Sequence, residues 1–248
     1  MIFIKTVQEI EYMRQAGKVV RNALQMIEPY VKCGVATLEL DTILEQYVLS
    51  FDTIPSFKGY QGYQHCSCIS VNSAVVHGVP NGYKLQLGDI VGVDIAVSYK
   101  GYHADAARTF GVEKISGSNQ KLIECTRQSF FEGLKYARTG CRLGDIGNSI
   151  QSYVESNGYS IVRELSGHGI GKSIHEDPQV PNFGAFGKGT KLKSGMALAI
   201  EPMVNMGTRF VEIDWLDKWT CRTQDGNNSA HYENTVVITD GAPEILTL

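Results

Sequence analysis

The sequence predicts an α+β fold in which a helix–helix–strands unit occurs twice, its halves related by a pseudo-twofold axis and sharing a mixed, largely antiparallel sheet. Three observations lead there. Helical and strand-like apolar spacing follow one another in the same order in both halves, the helical segments align residue on residue, and an acid in a strand of the first half falls on an acid in the second.

In the first half Ile10, Met13, Ala16, Gly17, Val20, Leu24 and Ile27 recur at helical spacing, and Pro29 and Gly34 punctuate the end. Thr37 starts a second helix through Leu40, Leu44 and Val48. From Cys66 to Gly111 the pattern changes to short β runs between turn residues. Helical spacing returns over Asn119–Ala137 and Leu143–Val154, and the remainder reads as strand, notably Met196–Val204 and His231–Thr239. GVATLELDTILEQYV from Gly34 matches GCRLGDIGNSIQSYV from Gly140 at an offset of 106, with Leu40 on Ile146, Leu44 on Ile150, Tyr47 on Tyr153 and Val48 on Val154. Further on, LQLGDIVGVDIAV sets Asp94 against Glu201 of LKSGMALAIEPMV, one residue off that offset. Helices share simple patterns by chance. Continuation through a second element to an acid over an acid favours duplication, with something bound on the axis between the halves.

Bulk properties exclude several classes. The 248 residues are 43% apolar and 20% charged, an ordinary globular composition. A net charge of −3 offers no field for gripping DNA or an anionic membrane. The opening MIFIKTVQEIEYMRQAG does not read as a signal peptide, and no apolar run approaches membrane-spanning length, so a cytoplasmic protein is expected. Six cysteines are too sparse for a disulfide scaffold, and free thiols are expected.

Four acids stand where cores disfavour them. Asp94 lies in GDIVGVDIAVSY, apolar or small on both alternating faces, which reads as a central strand covered on both sides. A lone Asp there costs several kcal/mol unless paired or bound to a cation. The chain turns near Lys100 and returns as HADAARTFGV, carrying Asp105. A hairpin centred between Tyr99 and Lys100 makes the two acids face each other; a Lys100-Gly101 turn makes them diagonal neighbours. Both registers leave them on one face. Glu201 ends MALAIEP, and Glu233 opens another β run in AHYENTVVITD. Any one of these could be a buried carboxylate satisfied by Arg or backbone donors. Four together point to metal.

His168 and His175 lie in SGHGIGKSIHEDPQV, too glycine-rich for a stable helix and short of the alternation of a core strand. The glycines let the backbone bring His168 into a site. One imidazole and four carboxylates make an O/N set able to hold two ions about 3.5–4 Å apart. Oxygen ligands favour Mn, Fe or Co over a thiolate zinc site.

These residues fall in VVHGVP (Val75–Pro80), GDIVGVDIAVSYKGYHADAARTF (Gly88–Phe110), SGHGIGKSIHEDPQVPNFG (Ser166–Gly184), MALAIEPMVNMG (Met196–Gly207) and HYENTVVIT (His231–Thr239). With these five motifs in order, the chain resembles, along nearly its whole length, the type I methionine aminopeptidases of the pita-bread fold, metallopeptidase family M24. The resemblance implies a single catalytic domain over 1–248, with pseudo-symmetric halves of about 1–111 and 112–248. It implies Asp94, Asp105, His168, Glu201 and Glu233 as ligands of two divalent ions (Co, Mn, Fe or Zn). His77 would line the substrate channel and contact the peptide near the scissile bond. His175 would hydrogen-bond the substrate carbonyl and stabilise the oxyanion, and Glu201 would shuttle the proton. Phe57, Tyr60, Tyr63, Cys68 and Trp219 would hold the methionine side chain. The implied activity is removal of initiator methionine from nascent chains by a metal-bound hydroxide, with a small second residue preferred. The chain would act as a monomer, without DNA or membrane, and the ribosome exit region is a candidate partner. Ala96 and Ala106 depart from the small hydroxyl residues that many relatives carry beside the two aspartates.

Three rivals are weighed. A proline-directed enzyme of the same fold usually carries a separate N-terminal domain, and the first helix here begins within ten residues of Met1. A metal-free binding protein predicts substituted ligands, and a structural metal protein leaves His77 and His175 without a purpose.

Overall fold

The computed structural model describes residues 1–248. Helix α1 spans Val7–Ile27, starting earlier than apolar spacing alone suggested, because Thr6 and Glu9 form a capping box. The Glu9 amide donates to Thr6 Oγ1 at 3.3 Å and the Thr6 amide donates to Glu9 Oε2 at 2.8 Å, satisfying donors that a helix start leaves open. Helix α2 is Thr37–Leu49, α3 Gly117–Leu134 and α4 Leu143–Ser156. After α2 come β1 (Ile54–Pro55), β2 (Ser67–Val71), β3 (Ala74–Val76), β4 (Ile90–Tyr99) and β5 (Tyr102–Gly111). After α4 come β6 (Ser160–Ile161), β7 (Gly167–Gly169), β8 (Glu176–Val180), β9 (Ala197–Ile200) and β10 (Met203–Asn205). Strands β11 (Val211–Ile213), β12 (Cys221–Thr223), β13 (Ser229–His231), β14 (Asn234–Val237) and β15 (Glu244–Ile245) complete the chain.

All ladders are antiparallel, but they do not form the one shared sheet expected from the sequence. Strands β1 and β2 flank one side of β4 and β5 the other, while β15-β14-β9-β7-β8 form a second sheet. Two three-stranded sheets, β13-β10-β6 and β11-β12-β3, close the rest. The two larger sheets meet at β5 and β14 along a seam built largely from threonine hydroxyls. Thr235 Oγ1 accepts from the Asp105 amide and donates to the Asp105 carbonyl, each at 2.9 Å, and the Glu233 amide donates to the Ala107 carbonyl at 3.0 Å.

Each helix pair covers the outer face of its own sheet. Val91, Val93, Ile95, Val97, Ala104 and Ala106 pack with Val20, Leu24, Leu40 and Leu44. Leu198, Ile200, Val236 and Ile238 pack with Leu122, Phe130, Ile146 and Ile150. Burying a side chain of this size contributes roughly 1.5–3 kcal/mol. Alternation along β4 then sends Asp94 to the opposite, inner face. Ala106 belongs to the helix-side core, directly across from Ile95. Ala96 instead lies on the inner face, across from Asp105. All six cysteines are free thiols.

The expected runs Met196–Val204 and His231–Thr239 are each broken at their acid. The chain leaves β9 at Glu201-Pro202 and enters β10 of another sheet; it leaves β13 at Tyr232-Glu233 and enters β14. The reason for the glycines around His168 also differs from expectation. Gly167 and Gly169 are not at positive φ and form a short strand. They are required by close approach: a Cβ on Gly169 would lie 2.2 Å from the Asp177 carbonyl oxygen, and one on Gly167 2.3 Å from that of Ala199. Gly169→Ala is therefore expected to destabilise the fold by about 1–3 kcal/mol, read as a lowered midpoint in thermal unfolding followed by circular dichroism. An unchanged midpoint would show that β7 and β8 can separate freely.

Candidate metal centre and substrate pocket

Tyr99 pairs with Tyr102, so the hairpin turns at Lys100-Gly101, both at positive φ as such a two-residue turn requires. Asp94 is thus opposite Ala107, and Asp105 opposite Ala96. The acids are diagonal neighbours on the inner face, the second of the two registers considered.

His168 comes from β7, and its Nδ1 lies 2.9 Å from the Gly169 carbonyl. A carbonyl only accepts, so Nδ1 carries the proton and Nε2 presents a lone pair. That Nε2 lies 3.5 Å from Glu201 Oε1. Asn182 fixes the Glu201 backbone by donating to its carbonyl at 3.0 Å. Glu233 is held through its backbone, where Arg108 donates to its carbonyl at 2.5 Å.

No Lys or Arg pairs with any of the four carboxylates; their only ionic neighbours within 4.0 Å are the His168 and His231 rings beside Glu201. The explanation by arginine pairing therefore fails. Asp94 Oδ1, Asp105 Oδ1 and Glu233 Oε1 are buried without a hydrogen-bond partner, a costly arrangement unless a cation meets them. Potential ligand atoms of Asp105, His168 and Glu233 lie within 4.8 Å of one another, as do those of Asp94, His231 and Glu233. Oxygen and imidazole donors in two groups sharing one glutamate fit divalent ions.

Without an ion the cluster opposes its own charge. Burial, then repulsion from Asp105 and Glu201, pushes the Asp94 carboxyl well above the usual range. Burial lifts Asp105 to about 7. Glu201 and Glu233 are likewise raised, first by burial and then by Asp105. Burial lowers His77 to about 4 and His168 to about 3, so both rings are neutral near pH 7.

A cavity of about 230 Å³ opens onto the acids. Its lining contains all twelve residues singled out from the sequence: Phe57, Tyr60, Tyr63, Cys68 and Trp219, with His77 and His175, and the five expected ligands. Gln61 is the one further lining residue. Cys68 on β2 is directly across from Asp94, and burial beside that acid keeps its thiol protonated. Tyr63 donates to the Ser67 carbonyl at 3.0 Å and meets Trp219 edge-on, with ring centroids 5.0 Å apart. His175 is exposed at the mouth, its Nδ1 2.9 Å from Tyr60 Oη and its ring 4.3 Å from that of His168. The buried Lys5–Glu176 ion pair at 2.5 Å anchors its loop to the segment before α1. His77 adopts φ 57°, a conformation uncommon outside glycine, of the kind often retained at functional sites. A second cavity, of about 460 Å³, shares His77, His168, His175 and Glu201 with the first.

One residue at the acids escaped sequence reasoning. His231 precedes Glu233 by two positions in the motif already quoted, and that period-two spacing was the available signal.

Comparison with known proteins gives the family. A methionine aminopeptidase of Clostridium perfringens is 53% identical over 249 residues, spanning 100% of this chain and 99% of that protein. The crystal structure of methionine aminopeptidase from Thermotoga maritima superposes with a TM-score of 0.97 at 42% identity, covering 100% of this chain and 99% of the other. A prolidase from Pyrococcus furiosus shares the fold, with a TM-score of 0.78 at 22% identity, over 99% of this chain and 65% of its own. The sequence model of metallopeptidase family M24 matches residues 11–240. With acids that want a divalent ion, and likeness running the length of the chain, the protein belongs to metallopeptidase family M24.

Proposed function

We propose that this chain removes the N-terminal methionine from peptides and nascent proteins. The observation that carries the reading is the juxtaposition of three buried carboxylates without hydrogen-bond partners, and Glu201 beside them, with a small cavity lined by aromatic rings and a thiol. A flexible, polarizable thioether packs well against aromatic edges, which suits Phe57, Tyr60, Tyr63, Cys68 and Trp219 to a methionine side chain.

Asp94, Asp105, His168, Glu201 and Glu233 would hold two divalent ions, drawn from Co, Mn, Fe and Zn. Bound ions at such a centre supply Lewis-acid polarisation and make water a competent nucleophile near neutral pH. The chain's own groups do the rest. Asp94 accepts hydrogen bonds from the substrate's free α-amine, which an internal peptide or an acetylated chain lacks. Glu201 takes the proton of the attacking water as the carbon–oxygen bond forms, then delivers it to the departing amide nitrogen as the carbon–nitrogen bond breaks. Neutral His77 and His175 donate to the peptide near the scissile bond, with His175 on the developing oxyanion. The second cavity, which shares His77, His168, His175 and Glu201 with the first, gives the remaining peptide a way out past the histidines, and a small second residue is preferred. The catalytic unit spans residues 1–248, with halves of about 1–111 and 112–248, and works as a cytoplasmic monomer that can meet nascent chains at the ribosome exit region. No helix is long and apolar enough to cross a membrane.

The test uses chelated protein reloaded separately with Mn, Co, Fe and Zn. Free methionine is expected from Met-Ala-Ser, with less from Met-Pro-Ser and none from Leu-Ala-Ser or an acetylated control. Folded protein that releases nothing with any ion would overturn the reading.

A further inference from the structure

His231 stands outside the ligand set above, yet its surroundings are those of a ligand. It ends β13, where its amide donates to Thr109 Oγ1 at 3.0 Å and its carbonyl accepts from the same hydroxyl at 2.9 Å. It also pairs with Met203 across the β13–β10 ladder. With the backbone fixed on both sides, the imidazole, only 4% exposed, is directed into the acid cluster. Its Nε2 has no hydrogen-bond partner. That atom is 3.6 Å from Glu201 Oε2, and the residue belongs to the group in which Asp94, His231 and Glu233 offer ligand atoms within 4.8 Å.

The distances favour coordination over a hydrogen bond. Two ligand atoms each about 2.1 Å from an ion are about 3.0–3.4 Å apart, between right-angle and tetrahedral geometry. A nitrogen–oxygen hydrogen bond is about 2.9 Å. His231 Nε2 to Glu201 Oε2 at 3.6 Å and His168 Nε2 to Glu201 Oε1 at 3.5 Å both lie nearer the first spacing. Glu201 therefore sits between two imidazoles in the same relation to each, and each imidazole has its own aspartate, with Glu233 common to both groups.

We infer that His231 is a sixth metal ligand, its Nε2 joining Asp94 and Glu233 on one ion as His168 joins Asp105 and Glu233 on the other. The inference rests on the ligand reading proposed above and extends it. Each ion then has one nitrogen ligand instead of one ion having carboxylates alone. Imidazole suits Fe, Co and Zn, whereas carboxylate sites suit Mn and Mg, so His231 moves the second position toward the former ions.

Cadmium provides a readout independent of activity. The full-length protein, with isotopically labelled histidine ring nitrogens, is loaded with a spin-active cadmium isotope and observed by nuclear magnetic resonance. Two of its histidines are expected to show ring-nitrogen splitting by cadmium; His168→Gln and His231→Gln should each remove a different one. Calorimetric titration of the metal-free proteins should show His231→Gln weakening one zinc-binding event about 10-fold or more, with manganese changing less. Wild-type protein that binds two cadmium ions but splits only one histidine overturns the inference, whether or not the variants fold, and leaves the ligand reading intact. Weaker zinc binding in His231→Gln without that wild-type splitting makes His231 a positioning residue for Glu201 and likewise overturns it. A flat cadmium isotherm overturns the ligand reading itself.

Discussion

Glu201→Gln is expected to lower kcat/KM for Met-Ala-Ser by about 10³-fold or more while leaving the metal-free protein more stable than wild type. The two effects have one origin. Acid–base catalysis by a positioned side chain is worth about 10²- to 10⁴-fold, and an amide can neither take the water's proton nor return it to the leaving nitrogen. Glu201 also lies 3.5 Å from His168 and 3.6 Å from His231, where, on the ligand reading proposed above, its charge would help hold an ion. The same carboxyl is buried and repelled by Asp105, which raises its proton affinity well above the ordinary range. Replacing it with a neutral group of the same shape removes that repulsion. Kinetics and thermal unfolding in chelator test both halves. Activity retained within 10-fold would assign the proton transfer elsewhere, and a lowered midpoint would mean that Glu201 is structurally required.

The second large effect is on stability against pH in chelator. Asp94, Asp105, Glu201 and Glu233 all bind protons more tightly in the folded chain than in the unfolded one, chiefly through burial. In the window from the unfolded carboxylate range, about 4, up through the folded value of Asp105 and beyond, the folded chain holds protons that the unfolded chain has released. Unfolding then releases protons, so stability is greatest below the unfolded value and falls as pH rises. Asp105, lifted to about 7, implies a loss on the order of a few kcal/mol by neutral pH. The buried histidines tilt the other way, since His77, lowered to about 4, and His168 and His231, each lowered to about 3, favour folding once the unfolded rings have lost their protons. Four carboxyls outweigh them. Saturating divalent ion at neutral pH should reverse the loss, adding about 2.7 kcal/mol per site at one hundred times its dissociation constant. Thermal midpoints from pH 5 to pH 8, with chelator and with Mn, measure this. A chelated protein as stable at pH 8 as at pH 5 would mean that the acids are relieved without a cation.

What could be read before folding was whatever depended on chemistry and local period. A strand alternates every two residues, so Asp94 and Asp105 share a face with a hairpin centred between Tyr99 and Lys100 and equally with a Lys100-Gly101 turn. The duplicated helix–helix–strands order followed from spacing, and Thr37 was found as the start of α2. The register itself was open, because it depends on which residues accept positive φ, and Lys100-Gly101 decided it. Met196–Val204 and His231–Thr239 looked continuous because β propensity says nothing of which sheet a strand joins. Their breaks at Glu201 and Glu233 follow from the crossing between sheets. The side of Ala106 was similarly hidden, since only packing shows that it faces the helices.

The sequence by itself determined the inventory, namely an O/N donor set and two related halves to hold it, with the aromatic and thiol lining implied by the family resemblance. Residue type fixes donor chemistry, and short-range period fixes which neighbours project together. Only the tertiary structure decided that Glu201 stands between His168 and His231, that close approach to Ala199 and Asp177 demands Gly167 and Gly169, and that one cavity gathers all twelve candidates. Those relations join residues far apart in the chain. They are set by the packing of one sheet against another across the seam, which no local pattern encodes.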